Sequence, residues 1–248
     1  MPAPKSCRRA LAGVALLALE RTGGAPPTPV QVVDLALRRQ EGAWIATALG
    51  RAGLEVESPW DLIYVDGGEY AEAVPVLLHL LVRVREWDSL SVLSRLLRIK
   101  EARRGVPPVL YEKLAVSDTD VRGRNSMGAE LAATMAYLAT PRDFDGQWSI
   151  VRDEGYSRYV RGPIIEGIVR LARKEERRSE IERFLLRQLG TAEEMRGWAG
   201  CVAHALGVLK SRRALPGLRR MRKDGESDFE RRRAKQAIAK IEKGLAGK

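Results

Sequence analysis

The chain has 248 residues, 45% of them hydrophobic and 6% aromatic, enough apolar content for a sizeable core in a helix-forming composition dominated by Leu, Ala, Arg and Glu. Formal net charge is +11, but residues 157–248 hold 24 Lys and Arg against 12 Asp and Glu, net +12, while the remainder stands at −1. The basic character therefore belongs to the C-terminal third, and either a negatively charged partner or a self-solvating arginine surface accounts for it. Two cysteines, Cys7 and Cys201, support neither a disulfide framework nor a zinc site and fit a reducing compartment.

Lys5, Arg8 and Arg9 precede the apolar run 10–19, an arrangement that resembles the start of a secretory signal. Glu20 and Arg21 follow at once without an Ala-x-Ala site, and the run is too short to span a bilayer. With Ser6 as N-cap and Gly23 past the end, it is expected as a buried first helix of a cytoplasmic protein. Thr28-Pro29 then opens a helix to about Gln40, Gly42 breaks it, and 43–52 forms the next. Residues 55–69, with Pro59 and Gly67-Gly68, read as an irregular loop with room for one helical turn at Trp60 to Tyr64.

Residues 70–86 carry Ala73, Val74, Leu77, Leu78, Leu81 and Val84 as one apolar stripe at helical spacing. A partner helix over 88–103 follows, ended by Gly105. Pro107-Pro108 opens a short helix through Ala115, and 117–123 is a polar turn. No alternating run of strand length occurs, so strand content is expected near zero.

From there the chain repeats itself. Arg161-Gly162 and Leu171-Ala172 recur 35 residues later as Arg196-Gly197 and Leu206-Gly207, and Arg196 to Leu206 aligns with Arg231 to Ile241 at the same offset. Trp198 opens one helix, Leu215 a second expected to pair with it across a short turn, and Asp228 to Lys243 a last one rich in Arg and Lys, suited to capping. One helix pair cannot cover its own apolar face, so neighbouring pairs must share theirs. Gly200, Gly207, Ala199 and Ala203 would allow close helix approach.

Ala205-Leu-Gly207, then Ala214-Leu-Pro-Gly-Leu218, then Arg231 to Ile241 with alanines at helical spacing resemble HEAT and HEAT-like (PBS-lyase type) repeats, as found in bacterial HEAT-repeat proteins. The likeness is best over 161–241 and weaker over 44–139. It implies an all-α, α-α superhelix: a right-handed solenoid of about six antiparallel helix pairs in a single domain over 1–248. Within it, 1–40 would be divergent N-terminal helices, 41–155 irregular repeats with the loop at 55–69, and 156–248 regular basic repeats with a capping helix. It also implies an armadillo-like, non-catalytic scaffold for protein–protein interaction, monomeric, without cofactor, catalytic residue, metal or membrane span.

In such solenoids the second helix of each pair lines the concave binding side. On that reading Arg183 and Arg187, four apart, and Arg219, Arg220, Arg222 and Lys223 one layer on, form an arginine wall able to grip carboxylates or phosphates. An acidic protein is the expected partner and nucleic acid the alternative. The HEAT-like DNA glycosylases offer an enzymatic variant of the latter, for which Trp148 and Asp153 are the nearest counterparts. Five residues do not place those two squarely on one helix face, and Trp148 reads better as a core anchor. The acids Asp143, Asp145, Asp153 and Glu154 read as a solvated surface. His79 and His204 read as core or near-core; Cys201 and His204, three apart, lack a second pair of ligands for a metal.

Overall fold

The computed structural model describes residues 29–117, 127–172, 175–190 and 198–246. The expected first helix at 10–19, the turn at 23–27, the Thr28 cap and most of the 117–123 turn lie outside them. Among the described residues all regular structure is helical, as expected, and no helix is long and apolar enough to cross a membrane. Contacts divide the chain into two compact units, Met1–Leu96 and Leu97–Lys248, a division that falls inside the segment 41–155.

In the first unit α1 spans Pro29–Arg51. The expected break at Gly42 does not occur: a lone glycine costs about 1 kcal/mol against alanine, and with no proline nearby the helix continues through it. A 3₁₀ turn at Pro59–Tyr64 fulfils the single turn expected in the irregular loop. Its start is fixed by a capping box, in which the Asp61 carboxylate accepts from the Ser58 backbone N–H at 2.9 Å and the Ser58 hydroxyl accepts from that of Trp60 at 3.3 Å. Another, Ala71–Ala73, runs into α2, Val74–Arg83, shorter than the helix expected over 70–86. Its buried face includes Leu80, whereas Leu78 of the expected stripe is only half-buried and His79, expected near the core, is exposed against Arg83.

Helix α3, Trp87–Leu96, packs against α1, α2 and the 59–64 turn. Both its ends are held by side chains from elsewhere. Glu41 accepts from the backbone N–H of Arg85 at 2.7 Å and of Glu86 at 3.1 Å, and the Tyr70 hydroxyl donates to the Leu96 carbonyl at 3.2 Å.

In the second unit the helices are α4 (Pro108–Ser117), α5 (Met127–Leu138), α6 (Phe144–Arg152), α7 (Arg158–Leu171), α8 (Glu175–Gly190), α9 (Trp198–Leu209), α10 (Leu215–Asp224) and α11 (Asp228–Ala246). Helices α5, α7, α9 and α11 each pack on the next, while α4, α6, α8 and α10 lie along α5, α7, α9 and α11 respectively. The pairing differs from the sequence expectation by one helix. Leu215's helix packs along the following Asp228 helix, from which only residues 225–227 separate it, and not along the preceding Trp198 helix; Arg219 reaches Glu242 between the two.

Glycine sets the spacing along the row α5-α7-α9-α11. A Cβ on Gly167 would stand 2.8 Å from that of Ala136, one on Gly162 3.0 Å from the Cys201 sulfur, and one on Gly207 2.7 Å from the Ala237 Cα; one on Gly200 would collide with the Phe229 ring. Each helix boundary in the row is thus a place where backbone approaches side chain or backbone directly.

Candidate partner-binding surface

The arginines expected to form a wall sit on α8 and α10. Because the hairpins close one helix later than expected, these are the first helices of their pairs, not the second. The two helices touch each other: a Cβ on Gly217 would meet Leu189. On α8, Ile181 and Leu185 are buried while Arg183 and Arg187 are exposed; on α10, Leu218 is buried while Arg219, Arg220, Arg222 and Lys223 are exposed. Arg183 and Arg187 do share a face, turned away from the core.

Arg219 donates to Glu242 at 3.2 Å, an exposed pair worth at most about 1 kcal/mol. Arg183 donates to the Ser179 carbonyl of its own helix. Among the described residues no carboxylate pairs with Arg183, Arg187, Arg220, Arg222 or Lys223.

The row of second helices carries a different chemistry. The Arg233 guanidinium on α11 forms an ion pair with Glu166 on α7 at 3.1 Å and donates to His204 Nδ1 on α9 at 2.9 Å, bridging three helices. Since Nδ1 accepts, the neutral imidazole holds its proton on Nε2. Burial pushes the His204 pKa down, and Arg233, Lys240 and Arg170 press the same way against the opposing charge of Glu166. The Cys201 thiol, hydrogen-bonded to Glu166, is pushed up chiefly by burial. That leaves it a protonated packing residue with no nucleophilic character.

No family model, curated protein or solved structure matches the chain. Its functional reading therefore rests on its own residues.

Trp148 is an anchor of the core, as its neighbours in sequence imply: 4% exposed, its indole N–H donates to Glu180 at 2.7 Å and its ring meets Phe184 edge-on at 5.2 Å. Asp153 lies beyond the end of α6, exposed, accepting from the Gly155 backbone N–H at 2.8 Å. The two do not form a site together. Of the other acids, Asp143 is structural rather than solvated: its carboxylate accepts from Thr140 at 2.8 Å and from the Val106 backbone N–H at 3.1 Å. Its charge adds to the burial that pushes the Tyr111 phenol up to about 12. Asp145 pairs with Arg177 at 3.2 Å, and Glu154 is exposed.

Among the described residues no group of three or more His, Cys, Asp or Glu side chains converges on a metal position. Two arginine arrangements between packed helices, one buried and one partly buried, were not legible beforehand. Arg161, 8% exposed, donates to the Val151 carbonyl at 2.8 Å and lies 5.0 Å over the Trp198 ring, and burial lowers its pKa. Arg233 is the other. In sequence both belong to a chain with arginine at every turn, and nothing in their spacing separates them from the solvated ones.

Proposed function

We propose that the chain is a non-catalytic, HEAT-like helical scaffold that binds an acidic partner protein through the outward arginines of α8 and α10. The HEAT-like identity, with its superhelix of helix pairs, rests on the sequence motifs around 161–241. The packing between successive helices supports the scaffold part.

The observation that carries the binding surface is the exposure of Arg183, Arg187, Arg220, Arg222 and Lys223 on two touching helices, with no carboxylate partner among the described residues. Like charges on neighbouring helices repel one another, and an acidic partner relieves that repulsion. Arginine forks also bind carboxylates in pairs of hydrogen bonds, which favours a protein partner with clustered Asp and Glu. The shift in hairpin pairing moves this surface to the first helices, so the proposal keeps the residues expected from the sequence and changes the side they occupy.

The test is capture of a partner by the intact chain against an Arg183→Glu, Arg220→Glu double variant. Arg219 is left alone because it holds Glu242. We expect loss of at least about tenfold in affinity from the double reversal; undiminished capture overturns the surface. The same two proteins are titrated with labelled duplex DNA across a salt series. A fall of ~10³ to 10⁵ in affinity between roughly 50 and 200 mM salt, abolished in the variant, would replace the protein partner by nucleic acid.

A further inference from the structure

The 3₁₀ turn Pro59–Tyr64 presents two aromatic side chains to solvent, Trp60 at 39% exposure and Tyr64 at 93%, the highest of any large hydrophobic residue described. We infer that this turn docks on the arginine face of α8 and α10 of a second copy of the chain, a contact that rests on reading that face as a partner-binding surface and gives it an occupant.

The turn holds its shape while leaving the aromatic rings out. Pro59 and Leu62 are buried, the turn packs against α1 and α3, and the Ser58–Asp61 capping box fixes its start. A segment already ordered loses little freedom on binding. Exposed tryptophan and tyrosine rings also offer faces on which guanidinium groups stack, and Trp, Tyr and Arg are the side chains that dominate interface energetics.

Charge selects the occupant. Residues 52–82 contain no Lys or Arg, the longest such stretch in a chain that has 43, and they carry six carboxylates. Two of these are engaged locally: Asp61 accepts from the backbone N–H groups of Glu57 and Ser58, and Asp66 from that of Gly68 at 2.8 Å. The other four, Glu55, Glu57, Glu69 and Glu72, are exposed and form no ion pair among the described residues. On the arginine face Arg183 is held by the Ser179 carbonyl. Arg187, Arg220, Arg222 and Lys223 are exposed, with no side-chain partner among the described residues. Four free carboxylates and two rings therefore match four free cations, three of them guanidinium groups. The chain carries this complement itself, so the two surfaces are always present at equal concentration.

Because the surfaces are different patches, the contact is heterologous: each copy gives one patch and keeps the other open. Association continues into rings or filaments instead of stopping at a two-fold dimer, and salt weakens it because the paired groups are exposed.

The test is sedimentation of the full chain at low salt over a wide concentration range. The parent should associate and added salt should disperse it. Glu57→Gln with Glu69→Gln weakens one patch and Arg187→Gln with Arg220→Gln the other; each pair should raise the dissociation constant at least about tenfold. Tyr64→Ala, at a position too exposed to support the fold, should raise it about tenfold as well. Mixed one to one, the two double variants should recover a complex that stops at a dimer, since each keeps the patch the other lacks; that recovery also shows both to be folded. A parent that stays monomeric, association indifferent to salt, or double variants that keep the parent's circular dichroism yet fail to pair overturns the contact. Loss of partner capture by the Arg183→Glu, Arg220→Glu variant alongside a monomeric parent overturns this contact alone and leaves the arginine face to another acidic protein.

Discussion

The two units achieve helix packing by opposite means. In the first, leucine does the filling: Leu77, Leu80, Leu81, Leu90, Leu93 and Leu96 are buried to within 2% around the short helix α3, and the one mid-helix glycine of α1, Gly42, has nothing within 4 Å of where its Cβ would be. In the second, glycine does the spacing, at Gly162, Gly167, Gly200 and Gly207 along one row of helices. The difference teaches that glycine count says little about packing; what matters is whether atoms of a neighbouring helix stand directly opposite each glycine. Side chains fill a gap between helices, whereas glycines abolish the gap and fix the register along it.

The comparison breaks most sharply at Gly207. Substitution by alanine improves helix propensity by about 1 kcal/mol, yet places a methyl group 2.7 Å from the Ala237 Cα and 2.9 Å from its Cβ. Neither neighbour is the far end of a flexible side chain, so α9 and α11 must separate. We expect a net loss of about 1–3 kcal/mol, read as a lower urea midpoint with an unchanged slope. A neutral or stabilising outcome would show that the row is not held at glycine contacts.

A subtler effect separates the two His–Arg pairs, one in each unit. Arg83 meets the exposed His79 one turn away on α2, and Arg83→Ala should change stability by less than about 0.5 kcal/mol. Arg233 bridges Glu166 and His204 with the side chains of the ion pair about three-quarters buried, at 25% and 26% exposure. Arg233→Ala leaves Glu166 without its cation and should cost about 1–3 kcal/mol. Because the folded His204 pKa lies below its unfolded value, the unfolded chain binds the extra proton. Stability should therefore decline as pH falls below roughly 6.5, and level off once the folded imidazole also titrates. Removing Arg233 removes one of the cations holding that pKa down. The His204 resonance should then titrate at higher pH in NMR, and the acid decline should shrink; a titration unmoved by the substitution would show that burial alone sets it.

What could be read beforehand follows the same division. Helix periodicity, the absence of strands, the core role of Trp148 and the small residues Gly200 and Gly207 are local or pairwise features, and the chain displays them in order. Hairpin pairing is not local. The links on either side of Leu215's helix are both short, and its packing along the following helix shows in contacts between side chains far apart in sequence, such as Arg219–Glu242. The outward arginines were legible as types at helical spacing, but the side they occupy follows from the pairing.

Gly42 gives the smallest effect and the cleanest contrast with Gly207. It lies inside the continuous helix Pro29–Arg51, where a glycine suggested a break and none occurs. Its backbone is right-handed, and no heavy atom stands within 4 Å of an added Cβ. Alanine there reduces the conformational freedom of the unfolded chain and adds no collision, so Gly42→Ala should stabilise by about 0.5–1 kcal/mol. The gain should appear as a higher unfolding midpoint followed by tryptophan fluorescence. The same substitution would then raise stability in α1 and lower it in α9, and a loss at Gly42 would mean that something packs on that face of α1 after all.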